Sequence, residues 1–352
     1  MVEIWTNAAG MPRAVAERTK EAEDAGFDGI TVVDSQNLSG DTYVNLTAMA
    51  MATESIHIAS GVTNPYTRHP AVTAGAIATI QALSGGRAHL GIGRGDSALA
   101  HLGRAPVSVR KFEDYLVRLQ GYLRGEEVEF EPGGDVDDLG LADRPSSSRI
   151  MWLRPGRYPK VPVEVTATGP KVLALAALHA DRVVLAVGAD MERLKWSIGV
   201  AREAKERAGQ DPADLKFAAY VNVVVHPDIE TAYHLGEGGI SLFTRFSSMH
   251  GSVAGPMSDE DRRVYAAVHD AYDMNEHSRA GSAQAATITP EFAARFAILG
   301  DAGYCLERLG AVVGLGIDRL VTVRPTAGAD AGLARESEQA FANEVMPALR
   351  GM

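Results

Sequence analysis

Cysteine is almost absent: Cys305 is the single one in 352 residues, so no disulfide can form within the chain. That suits a reducing cytoplasm, the expected compartment. It also makes a thiolate zinc site implausible. The ten histidines never stand at H-x-x-x-H or H-E-x-x-H spacing, so no metal is expected. No G-x-S-x-G elbow is present, which leaves a serine hydrolase without support. No apolar run is long enough to span a bilayer. The opening Met1-Val2-Glu3-Ile4-Trp5 lacks a basic region followed by an apolar one, so neither a signal peptide nor a membrane partner is expected. Excess positive charge is missing as well. Lys and Arg number 34 against 45 Asp and Glu, a formal net charge of -11, which argues against nucleic acid as a partner. An anionic ligand would need a local basic pocket. No short sequence repeat is evident.

What is present is a recurring strand, polar loop and helix. Apolar residues are 46% of the chain, enough for a large core. Gly29 to Val33 reads as a strand buried on both faces, β-branched and apolar throughout. Further strands are read at Val2–Thr6, Ser55–Ser60, Arg87–Ile92, Val161–Thr166, Arg182–Val187, Phe217–Val225 and Asp318–Val323. Helical periodicity follows each, over Arg13–Ala25, Tyr43–Thr53, Ala71–Leu83, Val109–Leu123, Lys171–His179, Met191–Ala208, Asp301–Val313 and Gly332–Leu349. Such alternation implies right-handed crossovers and a parallel sheet. Eight units predict a (β/α)8 TIM barrel, one domain over residues 1–352, with a doubly wound open sheet as the competitor. Two stretches lose the rhythm and read as insertions after the fourth and seventh βα units. Residues 126–160 are rich in Gly, Pro, Asp and Ser, and suit a lid or a surface hairpin. Residues 228–299 are helical but irregular, interrupted by Gly236, Gly238, Gly239, Gly251 and Gly255.

Four polar loops follow four strands, and in a barrel they meet at one rim. The first is Asp34-Ser35-Gln36. The second, Gly61-Val62-Thr63-Asn64-Pro65-Tyr66-Thr67-Arg68-His69-Pro70, crowds polar and aromatic groups between two prolines. Each proline pushes its predecessor, Asn64 or His69, away from helix, so the loop is stiff. The third, Gly91-Ile92-Gly93-Arg94-Gly95-Asp96-Ser97, permits close backbone approach to a flat or anionic ligand, or is simply a tight turn. As a dinucleotide fingerprint it is weak. Asp96 is either a helix N-cap or a buried acid. The fourth, Thr166-Ala167-Thr168-Gly169-Pro170-Lys171, either offers free N–H groups to a phosphate or is a Thr-capped helix start.

These loops resemble those of the bacterial luciferase-like superfamily, in the branch that uses the deazaflavin coenzyme F420. Gly61–Pro70 is similar to the methylenetetrahydromethanopterin reductase loop almost residue for residue. Gly91-Ile92-Gly93-x-Gly95-Asp96 and Thr166–Pro170 are the second and third matches. The resemblance covers nearly the whole chain and is weakest across the two insertions. It implies a hydride-transferring oxidoreductase acting on a small-molecule substrate, with F420 as cofactor and FMN, in a luciferase-like monooxygenase, as the alternative. It implies a non-prolyl cis peptide at Gly61–Val62, backing the ring. Asp34, Ser35, Thr63, Asn64 and Gly93 would complete the ring side. Thr166, Thr168, Gly169, Pro170 and Gly188 would lie toward the cofactor tail. Asp96 matches the family's catalytic acid, and Tyr66, Arg68 and Arg94 face the substrate. Ser35 stands where the family often carries histidine, a departure from histidine-assisted alcohol oxidation. A homo-oligomer, as a dimer, is expected by the same analogy.

Overall fold

A computed structural model gives the architecture and describes residues 1–130, 145–154 and 156–352. Eight parallel strands close into a barrel: β1 (Glu3–Ala8), β2 (Gly29–Val32), β3 (His57–Ser60), β4 (Ala88–Ile92), β5 (Val163–Ala167), β6 (Arg182–Leu185), β7 (Phe217–Val225) and β8 (Arg319–Val323). Closure runs through β1 beside β8 and β6 beside β7, with Val183 opposite Phe217 and Leu185 opposite Ala219. β2 and β6 are buried at every position, the pattern expected when helices cover the outside of a parallel sheet. The expected strands and helices all form. Helices start where the chain supplies a capping side chain: Asp41, Ser108, Asp190, Asp228, Asp301 and Asp330 each accept backbone N–H groups of the following turn.

The two irregular stretches resolve differently. Val128–Glu129 pairs antiparallel with Ser147–Ser148, while the centre of the expected lid or hairpin, residues 131–144, lies outside the described residues. Beyond β7, Gly236, Gly238 and Gly239 do not interrupt a helix as expected. They lie within a continuous one, Ile229–Ser248. Close packing explains them: a Cβ on Gly239 would fall 2.6 Å from the Asn222 amide on β7. Gly251 and Gly255, with φ of 74° and 94°, do turn the chain. A further short strand, Ile298–Gly300, extends the sheet along the second half of β7.

The amino-terminal end of the barrel is filled by charge rather than by apolar side chains alone. Arg319 on β8 donates to Glu164 on β5 at 2.5 Å and to Glu3 at 2.6 Å. Its guanidinium lies 3.8 Å from the Trp5 ring centroid. His89 Nδ1 sits 2.8 Å from Glu164 Oε1, and its Nε2 is 3.3 Å from His57 Nδ1. Arg182 bridges Glu164 and Asp318. Burial alone would raise the Glu164 carboxyl, but Arg319, His89 and Arg182 outweigh it and hold it at about 2. Because its folded value is depressed below the ordinary 4.5, Glu164 stabilises the fold above that pH, and the contribution fades as pH falls toward 2. Glu164→Gln leaves Arg319 buried with a weakened partner set, and should cost about 3–5 kcal/mol. Denaturant melts at neutral pH test this, and the variant should also show a shallower loss of stability on acidification than the native chain.

Candidate active site

The carboxyl ends of β2 and β3 are joined by one buried carboxylate. Asp34 accepts from Thr63 Oγ1 at 2.6 Å, from Arg68 Nη1 at 3.1 Å and from Gln36 Nε2 at 2.7 Å. Arg68 also reaches Asp41 at 2.6 Å and lies 4.6 Å from the Tyr43 ring centroid. It therefore carries two carboxylates and an aromatic face before any ligand arrives. Gly61–Val62 is cis. A Cβ at Gly61 would clash with Thr31, 2.6 Å away, and approach the Tyr220 hydroxyl. Thr63 and Gly93 exchange the loop into β4, through Thr63 N to Gly91 O and Gly93 N to Thr63 O, both 3.0 Å. The Asn64 side-chain Oδ1 accepts from Tyr66 N and Thr67 N, 3.0 Å each, which fixes the turn between the prolines. His69 caps the helix Pro70–Leu83 through Nδ1, so it is spent on the scaffold.

Beyond β4, Asp96 precedes the short helix Ser97–Ala100 but makes no capping bond. Its carboxylate instead takes two bonds from Arg245, at 3.0 and 3.2 Å, with both side chains nearly buried. Of the two sequence readings of Asp96, the cap does not form. Arg245 belongs to the helix Ile229–Ser248, and its guanidinium sits 4.2 Å from the Tyr272 ring centroid. The Tyr272 hydroxyl meets His277 Nδ1 at 2.8 Å. Burial holds the His277 ring down at about 4, against the pull of Asp96, so it is neutral at physiological pH. Ser35 and Ser97 are linked through their hydroxyls at 2.8 Å, tying the β2 loop to the β4 loop. Arg94 donates to Val107 O at 2.6 Å and lies 3.5 Å from His250.

At β5 the Thr-capped start does not form either. The N-cap of Pro170–His179 is Gly169, without a side-chain bond, because Thr168 Oγ1 donates to Phe246 O at 3.1 Å. Gly169, Pro170 and exposed Lys171 border an uncapped helix end. Gly188 is buried with φ of 76°, and a Cβ there would meet the Phe296 carbonyl at 2.6 Å. Among the described residues, the buried polar atoms without a hydrogen-bond partner include Gln36 Oε1, Asn64 Nδ2 and Thr166 Oγ1 in these loops. Such orphans cost about 1–3 kcal/mol each unless something meets them.

Comparison with known proteins places this arrangement. The family model for luciferase-like monooxygenase matches residues 2–319. The chain belongs to the luciferase-like monooxygenase family, a family of enzymes. It is 29% identical over 320 residues to 5,10-methylenetetrahydromethanopterin reductase of Methanolobus tindarius, covering 88% of this chain and 90% of that one. It is 26% identical to F420-dependent glucose-6-phosphate dehydrogenase of Beutenbergia cavernae, covering 96% and 94%. The structure of the coenzyme F420-dependent tetrahydromethanopterin reductase from Methanopyrus kandleri superposes with a TM-score of 0.74 at 21% identity, covering 99% of each chain. At that identity the superposition speaks for the fold.

The luciferase-like rim therefore includes groups that reading the loops alone does not reach. Arg245, Tyr272 and His277 all come from the long segment after β7. Its only signal in sequence was the cluster of glycines that lets the helix Ile229–Ser248 press on β7. The bidentate Asp96–Arg245 pair should couple in a double-mutant cycle. With Asp96→Asn, Arg245→Met and the double variant, chemical denaturation should return a coupling of roughly 1–3 kcal/mol. Additivity would mean that the pair does not form in solution.

Proposed function

We propose that this chain is an oxidoreductase that binds coenzyme F420 at the carboxyl rim of the barrel and passes a hydride between it and a small organic substrate. The observation that carries the reading is that two of the buried polar atoms without a partner, Asn64 Nδ2 and Thr166 Oγ1, stand beyond β3 and at the end of β5. They fit a flat ligand rich in carbonyl and hydroxyl groups. Two of the three named likenesses are F420-dependent by name. Gly61, Val62, Thr63, Asn64 and Gly93 would hold the ring, with Asp34 and Ser35 beside it. Thr166, Thr168, Gly169, Pro170 and Gly188 are assigned to the tail. A bound deazaflavin supplies a ring carbon that accepts or releases hydride.

The chain's own residues do the rest. Asp34 locks the β2 and β3 loops to one another. Arg245 fixes the orientation of Asp96, the carboxylate assigned to hold or move the proton that accompanies the hydride. Tyr66, Arg68 and Arg94 lie toward the substrate, Arg68 as a wall already neutralised by Asp34 and Asp41. Among the described residues no helix is long and apolar enough to cross a membrane. A cytoplasmic homodimer is the proposed working form, by family analogy.

A second reading, reduced FMN with oxygen, is favoured by the family's monooxygenase description. Parallel titrations of the purified protein with F420 and with FMN separate the two. Selective binding of F420 is expected. Selective binding of FMN, with oxygen uptake that depends on an added substrate, would replace the first reading with the second. Asp96→Asn should leave F420 affinity essentially unchanged and slow turnover by roughly 10²-fold. Unchanged turnover would remove Asp96 from the chemistry.

A further inference from the structure

A cleft of about 570 Å³ opens at the rim between the loops that follow β2 and β3, within the range of small-molecule sites. Its wall includes Ser35, Asn37, Asp41, Tyr66, Arg68 and Leu102. Tyr66 and Leu102 are 48% and 41% exposed, so each offers uncovered apolar surface to an occupant. Apart from Gly40 and the charged pair Asp41 and Arg68, the rest of the wall is hydroxyl and amide. Among the described residues Arg68 is the one cation of the lining, with Nη1 bonded to Asp34 at 3.1 Å and to Thr67 Oγ1 at 3.4 Å and Nη2 bonded to Asp41 at 2.6 Å. Counting the buried Asp34 behind the wall, one positive charge faces two negative ones. Arg94 and Arg104 stand outside the lining; Arg104 lies 5.9 Å from the Tyr66 ring centroid and, like Asp41, is exposed to screening by solvent.

We propose that this cleft holds the reacting substrate and selects uncharged, hydrogen-bonding molecules over phosphates and carboxylates. The proposal rests on the oxidoreductase reading above and narrows its substrate class. An anion entering here meets two carboxylates and an Arg68 whose charge they already offset. An uncharged molecule loses nothing to that pair. It can lay an apolar face on Tyr66 and Leu102 and exchange hydrogen bonds with Ser35 and Asn37. The Asp41 charge is what closes Arg68 to anions. Asp41 also caps the helix Thr42–Ala52 through its other oxygen, a duty that Asn and Ser perform equally well.

Saturation-transfer NMR on the full-length protein tests this with matched probes: glucose and glucose 6-phosphate, glycerol and glycerol phosphate, benzyl alcohol and benzoate. In the native chain the uncharged members should show transfer and the anionic members little or none. Tyr66→Ala should reduce the signal of the uncharged members. Asp41→Asn, with Asp41→Ser as a second cap-preserving variant, should strengthen binding of the anionic members by about tenfold. Equal or stronger binding of the anions to the native chain overturns the proposal. So does absence of transfer from every uncharged probe, and so does indifference to Tyr66→Ala. Each probe is run with and without F420. Failure of F420 itself to bind counts against the cofactor reading and leaves the charge selectivity separately readable.

Discussion

Arg319 reaches through the inside of the barrel from β8 to Glu164 on β5, and it touches Glu3 and Trp5 of β1 on the way. The neighbouring strands β8 and β1 are thereby held at a fixed separation from β5, across the barrel, by one guanidinium. A buried ion pair of this kind is a weak source of net stability but a costly one to break. Its effect is to punish any other barrel shape. His89, His57 and Arg182 complete the cluster from β4, β3 and β6. The charged floor lies at the amino-terminal ends of the strands, and the opposite ends are left to carry polar loops. In barrels of this type the two ends divide labour in that way.

At the rim, most of the polar side chains are already committed. Arg68 is paired twice, His69 and Asp41 cap helices, Thr168 holds Phe246, and Asp96 holds Arg245. This commitment preorganises the loops, so that a ligand meets a set geometry rather than having to order one. Among the described residues, the buried groups of these loops that stay open include the Gln36 carbonyl, the Asn64 amide and the Thr166 hydroxyl. On the proposed reading, one face of the rim takes the cofactor and the cleft beside Tyr66 the substrate.

Much of this was legible in the residues. Short β-branched strands ending in polar loops announced eight βα units, because parallel strands covered by helices are apolar on both faces. The two prolines around Asn64 and His69 marked a stiff loop for a local reason that tertiary contacts did not override. Less was legible where the partner is distant. Asp96 and Arg245 are 149 positions apart, and no local pattern connects them. Thr168 reads locally as a cap, yet its hydroxyl bonds to Phe246, 78 positions away. Ile298–Gly300 is too short to show a strand period and exists because β7 outruns β6 and offers it an edge. The glycines of the helix Ile229–Ser248 look like breakers until the surface they press on is known.

The central claim is that Asn64 Nδ2 and Thr166 Oγ1 are anchors of the cofactor. A crystal structure of the F420 complex tests it most directly. The account predicts the deazaflavin ring against Gly61–Val62, with Asn64 Nδ2 and Thr166 Oγ1 each bonded to the ligand and Arg68 still bound to Asp34 and Asp41. A ligand seated elsewhere, or a complex in which those two atoms stay unpartnered, would contradict it.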